Sequence, residues 1–331
     1  MKESDIRNQE VLNKYLDMVK QDVEKLFDRN KFQFVECPAC GASDYANEFT
    51  KSGFNYVTCN CCKTLYANPR PTQEQLDLFY SKSDSNRFWA EEFFMPFAEA
   101  RRQKIFAPRA KEIAEEFPHL KRGGKLGDIG AGFGLFLEEL GKIWPEADLC
   151  AIEPSVDMVK ICQEKGLHVI PKMFEDLDEQ DSDFDFLFSF ELFEHLNNPK
   201  IFLEKANRSL KLGGGLLITT LNGKGFDIQL LWEKHKNVNP PHHLNFANPD
   251  SMKILLERCG FEIESLTTPG KLDWDIVENM IKTESIELGR WWNTVCEADG
   301  DAKRDLQKWI AENKYSSHIR VIAKKVRNIG K

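Results

Sequence analysis

Apolar positions recur every three or four residues from about residue 8 to 28, at Leu12, Tyr15, Leu16, Val19, Val23, Leu26 and Phe27, with charges on the opposite side. That period predicts an amphipathic helix within a segment 1–30, packed on the body of the protein or on a second subunit. From 31 to 71 the pattern breaks into short apolar runs with Gly41 and Gly53 at turns. It closes at Asn68-Pro69-Arg70-Pro71, where two prolines stop regular structure. Helical spacing returns over 72–120, started by Thr72 with Glu74 and Gln75 and carrying the aromatic pairs Phe88-Trp89 and Phe93-Phe94, as expected of a linker or cap. Beyond Gly123-Gly124 short apolar runs at 125–130, 149–153, 168–171, 184–190 and 215–221 alternate with helical stretches at 133–143, 155–165 and 199–210. Such alternation predicts a doubly wound, mostly parallel α/β sheet. A helix at 250–259, a strand at 261–266 and a last apolar run at 318–323 complete a domain over 121–331, interrupted by a helical insertion at about 273–313.

Composition changes this picture little. With 331 residues, 41% hydrophobic and 30% charged, the chain supports one large core and a smaller appendage. No run of about 18 apolar residues occurs and the opening MKESDIRNQE is polar, so a soluble cytoplasmic protein without span or signal peptide is expected. A net charge of -8 argues against a nucleic-acid partner, whose phosphates call for Lys and Arg. The pattern leaves the oligomeric state open.

Cysteine spacing carries the first chemistry. Five of the nine cysteines lie within 37–62, and the two Cys-x2-Cys pairs Cys37/Cys40 and Cys59/Cys62 are separated by 18 residues. Two tight turns of this kind converge four thiolates on one tetrahedral zinc ion with no open position, so a structural metal is expected. Cys61 is then a spare thiol. The module is a zinc ribbon, a small fold in which metal stands in for core.

The run Asp128-Ile129-Gly130-Ala131-Gly132-Phe133-Gly134 joins a strand directly to a helix. Glycine lets the backbone turn sharply and approach a ligand, and a helix start offers free N–H groups. About 20 residues on, Glu153 ends the next strand, where a carboxylate accepts hydrogen bonds from ribose hydroxyls. Asp128 repels a pyrophosphate and suits a cationic amino-acid tail. Together with the missing Gly-x-Gly-x-x-Gly pattern this opposes a dinucleotide-dependent dehydrogenase. This spacing resembles the first two motifs of class I S-adenosylmethionine-dependent methyltransferases. The likeness continues through Phe184 to Leu196, with Phe190, Glu191 and His195, and through Leu212-Gly213-Gly214-Gly215, so that it covers roughly 121–331. It implies a Rossmann-like domain behind the N-terminal zinc ribbon, and S-adenosylmethionine with its tail at Asp128, Gly130, Ala131, Gly132 and Gly134. It further implies the ribose at Glu153 beside Pro154, the adenine near Phe174, Glu175 and Asp176, and Phe190 and Glu191 at the site.

Methyl transfer from a sulfonium is an in-line displacement that needs alignment and, for a hydroxyl or carbon acid, a base. The segment Asn239-Pro240-Pro241-His242-His243-Leu244-Asn245-Phe246 supplies two imidazoles in a loop after the fifth strand, which makes His243 the first and His242 the second candidate. His195, just after the fourth strand, is the third. For each the plain alternative is a helix cap or a packed polar turn. Asn239-Pro240-Pro241 resembles the Asn-Pro-Pro-Tyr motif of amino-methylating enzymes, but that motif belongs after the fourth strand, where Ser189-Phe190-Glu191-Leu192 stands. The whole layout, a four-cysteine module followed by a methyltransferase domain and a His-Leu-Asn-Phe segment, is similar to sugar methyltransferases, deoxysugar C-methyltransferases among them. It implies a small sugar or nucleotide-sugar acceptor, O- or C-methylated in carbohydrate biosynthesis, with Arg70, Arg101 and Arg102 as candidates for holding a diphosphate. The chain departs from those enzymes at His242, where an acidic partner of His243 is expected, and in the insertion. Two other readings stand beside it: an RNA or protein methyltransferase gripping its substrate with the zinc module, and a non-catalytic cofactor-binding scaffold.

Overall fold

A computed structural model describes residues 8–330. The strands among them are β1 (Tyr45–Lys51), β2 (Phe54–Cys59), β3 (Leu65–Ala67), β4 (Lys125–Ile129), β5 (Asp148–Ile152), β6 (His168–Ile170), β7 (Phe184–Phe190), β8 (Leu210–Leu221), β9 (Asn245–Phe246), β10 (Phe261–Thr267) and β11 (His318–Lys325). The chain divides into two compact units. The first contains the residues up to Phe97 with Thr220–Ser251 and Thr267–Ile319, the second Ala98–Thr219, Met252–Leu266 and the residues from Arg320 on.

The second unit carries most of a seven-stranded sheet of order β10-β11-β8-β7-β4-β5-β6, in which β8, β7, β4, β5 and β6 pair in parallel. Strands covered on both faces read as continuous apolar runs. β4 shows this, four of its five residues being buried. Leu126, Ala151, Phe186, Phe188 and Leu217 from the sheet share a core with Phe136, Leu137 and Leu140 of the helix Leu135–Ile143. One boundary departs from the expected pattern. The run Gly213-Gly214-Gly215 lies inside β8 as a bulge, with Phe184 opposite Leu210 and Phe186 opposite Gly215. A Cβ on Gly215 would meet the Phe186 ring at 2.3 Å, so the missing side chain is what lets the strands close.

The first unit is built around the helix Gln9–Leu26, whose start is capped by Asn8 accepting from the N–H groups of Glu10 and Val11. Leu12, Tyr15, Val19 and Val23 form its buried face, as the period requires. They pack with Phe54, Tyr56, Phe79, Leu244 and Phe246 in one core. The small sheet has order β1-β2-β3-β9, so the strand that closes it arrives from the segment after β8. Burying a side chain such as Phe246 contributes roughly 1.5–3 kcal/mol, which ties that distant segment to the cysteine module. Residues 273–313 form the helices Asp273–Glu284, Arg290–Glu297 and Gly300–Glu312, also in this unit. The Asp273 carboxylate, fully buried, fastens them by accepting from Ser316 Oγ, Ser317 N and Gln307 Nε2.

Candidate active site and metal centre

In the second unit, β4 ends at Ile129 and the chain turns through Gly130, Gly132 and Gly134, all in the left-handed region at φ 71°, 56° and 70°. The two later glycines serve different ends. At Gly134 a Cβ would stand 2.4 Å from the Leu167 side chain, so close packing demands its absence. At Gly132 no atom lies within 4 Å of where a Cβ would be, so the bare backbone faces open space. Glu153 is buried; its Oε2 accepts from Gly132 N at 2.8 Å and its Oε1 from Ser155 N at 2.9 Å. Burial pushes its pKa up, while the Ser155 and Gly132 N–H groups oppose the rise. Pro154 beside it is exposed, and Ala131 is half-buried in the loop.

Asp128, 3% exposed, is the most perturbed carboxyl of this site. Burial lifts it to about 8, Arg109 pulls it down, and Glu153 adds to the rise. Arg109 stands 4.2 Å from the Phe190 ring centroid. Desolvation lowers its pKa, and the Glu191 and Asp128 carboxylates act against that. Sequence reasoning missed this residue. The available signal was a cation set within the helix Ala107–Glu116 next to its buried Ala110 and Ile113. Glu191, at φ 52°, follows β7 and accepts from Thr219 Oγ1 at 2.7 Å, a strained position of the kind that marks sheet-edge sites. Phe174 corrects one expectation. Its ring is 3% exposed and packs on Phe202 at 5.2 Å, so it is a core residue and not an adenine wall, whereas Glu175 next to it is half-buried.

Cys37, Cys40, Cys59 and Cys62 place their sulfurs within 4.8 Å of one another in the first unit. The two turns repeat one construction. Cys37 N donates to Ala42 O and Gly41 N to Cys37 O; Cys59 N donates to Thr64 O and Lys63 N to Cys59 O. Gly41 and Lys63 both adopt positive φ, at 78° and 60°. Sulfur separations of 3.4 Å for Cys37–Cys62 and 3.5 Å for Cys40–Cys59 compare with about 3.8 Å between thiolates around a tetrahedral zinc. The donor set therefore fits that ion, and Cys61 is exposed outside it. Asn248 Nδ2 donates to Cys62 O, joining the later segment to the second turn.

The histidines separate sharply. His242 is 5% exposed, its Nε2 is 2.9 Å from Tyr15 Oη, and the Phe79 and Tyr80 rings flank it. Burial, helped by His243, pushes its pKa down to about 3, so it is a poor proton acceptor; the expectation of a catalytic role for His242 gives way to that of a core histidine. His243 is half-buried in the first unit, and its Nδ1 contacts Asn237 O. A carbonyl only accepts, so Nδ1 carries a proton and donates it to Asn237 O. His195 is half-buried on the short 3₁₀ helix Phe193–His195 of the second unit. The cap of the following helix Pro199–Ser209 is supplied by Asn198, not by His195. Arg70 is buried with its guanidinium on Ala67 O and Asn245 Oδ1, and Arg102 pairs with Glu138 and Glu139; both have internal partners, which corrects their expected use on a diphosphate.

The methyltransferase-domain family matches residues 97–266, just over half of the chain. An uncharacterised protein of Methanocaldococcus jannaschii is 30% identical over 144 residues, 44% of this chain and 67% of that protein. The mitochondrial ubiquinone biosynthesis O-methyltransferase of Rattus norvegicus is 28% identical over 171 residues, 44% of this chain, and the chain spans 46% of that enzyme's length. A solved S-adenosylmethionine-dependent methyltransferase from Archaeoglobus fulgidus covers 70% of this chain and 100% of its own at 17% identity, with a TM-score of 0.46. With the family match running from the helix before β4 into β10, across the glycine turn and both acidic strand ends, this chain belongs to the methyltransferase-domain family, as a class I S-adenosylmethionine-dependent methyltransferase.

Proposed function

We propose that the chain transfers the methyl group of S-adenosylmethionine to an oxygen or carbon of a small sugar or nucleotide-sugar acceptor. The observation that carries the cofactor reading is the glycine loop with an open face at Gly132, set among Asp128, Glu153 and Arg109. The cofactor's ammonium suits Asp128, its carboxylate suits the Arg109 guanidinium, and its ribose hydroxyls suit Glu153. The backbone of Gly130, Ala131 and Gly132 lies along the tail, Pro154 and Glu175 flank the nucleoside, and Phe190 and Glu191 line the sheet edge beside the transferred methyl. His243, its ring oriented by Asn237 O at Nδ1, is the base for the acceptor's proton. Zinc on Cys37, Cys40, Cys59 and Cys62 holds the first unit's small sheet and takes no part in chemistry. Nine cysteines with no disulfide among the described residues suit a reducing compartment such as the cytoplasm.

The sugar class rests on the association of the four-cysteine module with the His-Leu-Asn-Phe segment. That segment supplies β9 to the module's own sheet, which gives the association a physical basis. The rat relative's name, an O-methyltransferase, favours oxygen as the methylated atom. The test is to incubate the protein with methyl-labelled S-adenosylmethionine and separated fractions of nucleotide sugars, other metabolites, RNA and protein. Label is expected in the nucleotide sugars; label confined to RNA or protein overturns the acceptor. His243→Ala is expected to cut turnover about 10²-fold while cofactor affinity holds. Unchanged turnover removes His243 as the base.

A further inference from the structure

Behind His243 the first unit contains a chain of hydrogen bonds that runs from Asp227 through His235 and Asn237 to His243 Nδ1. Asp227 is fully buried; its Oδ1 accepts from Ile228 N and its Oδ2 lies 2.8 Å from His235 Nε2, with His235 itself 1% exposed. The other ring nitrogen of His235, Nδ1, accepts from Asn237 N at 3.0 Å. An imidazole protonated on both nitrogens has no lone pair for that bond, so His235 is neutral, with its proton on Nε2 pointing at the carboxylate. Asn237 is thus gripped at its N–H by His235 and at its carbonyl by His243 Nδ1. The same loop is fastened twice more, by Lys51 Nζ on His235 O at 2.9 Å and by Tyr56 Oη on His243 O at 2.7 Å.

We infer that Asp227 and His235 are a positioning pair that fixes the tautomer and aim of the His243 imidazole through the backbone of Asn237. The inference rests on the reading of His243 as the base. Asp227 sets the His235 tautomer, His235 sets the Asn237 peptide, and the Asn237 carbonyl holds the Nδ1 proton of His243 and with it the ring's orientation. A carboxylate is needed at the head of this chain because it accepts twice. An amide at that position offers one oxygen for two donors, and its NH₂ group favours a His235 with the proton on Nδ1, facing the Asn237 N–H.

The experiment combines ring-nitrogen NMR with steady-state kinetics on the full chain. In the wild type, His243 is expected with its proton on Nδ1 and His235 with its proton on Nε2. Asp227→Asn is expected to lower kcat by about 10- to 100-fold, the usual size for an orienting partner, with an unchanged KM for S-adenosylmethionine and with the His243 proton redistributed between Nδ1 and Nε2. A folded Asp227→Asn protein with wild-type kcat, beside an impaired His243→Ala, overturns the inference. So does a wild-type His243 protonated on Nε2, a result that stands even if the variant does not fold. Full turnover in His243→Ala is a different failure: it removes the base reading and leaves the measured tautomers as they are.

Discussion

Both units bury charged and polar side chains, but on opposite terms. In the first, each buried group discussed above meets a partner of the right kind: His242 meets the Tyr15 hydroxyl, Arg70 meets Asn245, and Asp273 accepts from two serines and a glutamine. In the second, the buried carboxyl of Asp128 is driven up to about 8, and Arg109 nearby is pulled down by desolvation. Matched groups hold a shape, whereas groups whose charged forms are disfavoured by burial around an open glycine loop are those a charged ligand relieves.

The largest test of that contrast is at the metal. Zinc in a four-thiolate site is worth on the order of 10 kcal/mol to the fold it closes. One zinc per chain is expected by elemental analysis, and Cys62→Ser is expected to lose it along with hydrogen-exchange protection of β1, β2 and β3. A metal-free protein with unchanged protection of those strands breaks the picture of a framework held by metal. Smaller effects are expected in the glycine loop. Gly134→Ala adds a Cβ to a crowded, left-handed position and is expected to cost roughly 3 kcal/mol or more in denaturant unfolding. Gly132→Ala meets no crowding and is expected to cost about 1–2 kcal/mol for its φ alone while weakening cofactor binding. Equal losses in the two variants erase the distinction between packing and ligand approach.

The smallest effect sharpens the electrostatic half. Asp128 has an ordinary carboxyl pKa when unfolded and about 8 when folded, so the folded chain binds the extra proton between these values. Its contribution to stability is therefore full below about pH 4 and is lost as pH rises towards and through 8. Without cofactor, the thermal midpoint of the wild type is expected to fall relative to that of Asp128→Asn from pH 5 to 8. The same variant is expected to bind S-adenosylmethionine about tenfold more weakly at pH 8, through loss of a hydrogen bond to a charged group. Parallel pH curves for the two proteins refute a raised Asp128.

Much of this was legible in the chain because it is local. The helix over Gln9–Leu26, the capping box of Thr72 with Gln75, the strand ends at Ile129 and Ile152 and the two cysteine turns each follow from spacing over a few residues. The site residues divide by the same rule. Gly132 and Glu153, each singled out by its own strand end, are joined by a hydrogen bond at 2.8 Å. Phe174, His242 and Arg70 looked available for ligands because their residue types allow it, and each is occupied by a partner distant in sequence: Phe202, Tyr15 and Asn245. Arg109 and the pair Asp227–His235 carried no motif, since a cation beside an apolar helix face or a histidine eight residues after an aspartate has many uses.

The sequence alone determined the alternation of strands and helices, the glycine turn with its acidic strand ends and the four-thiol spacing, because periodicity and turn chemistry act between near neighbours. Only the tertiary structure decided that residues 220–251 and 267–319 belong with the cysteine module, that β9 closes its sheet, and which of the two adjacent histidines is sealed in a core. Those outcomes depend on burial and on hydrogen-bond partners supplied from far along the chain, and a side chain's desolvation and protonation are properties of its surroundings, which no residue carries by itself.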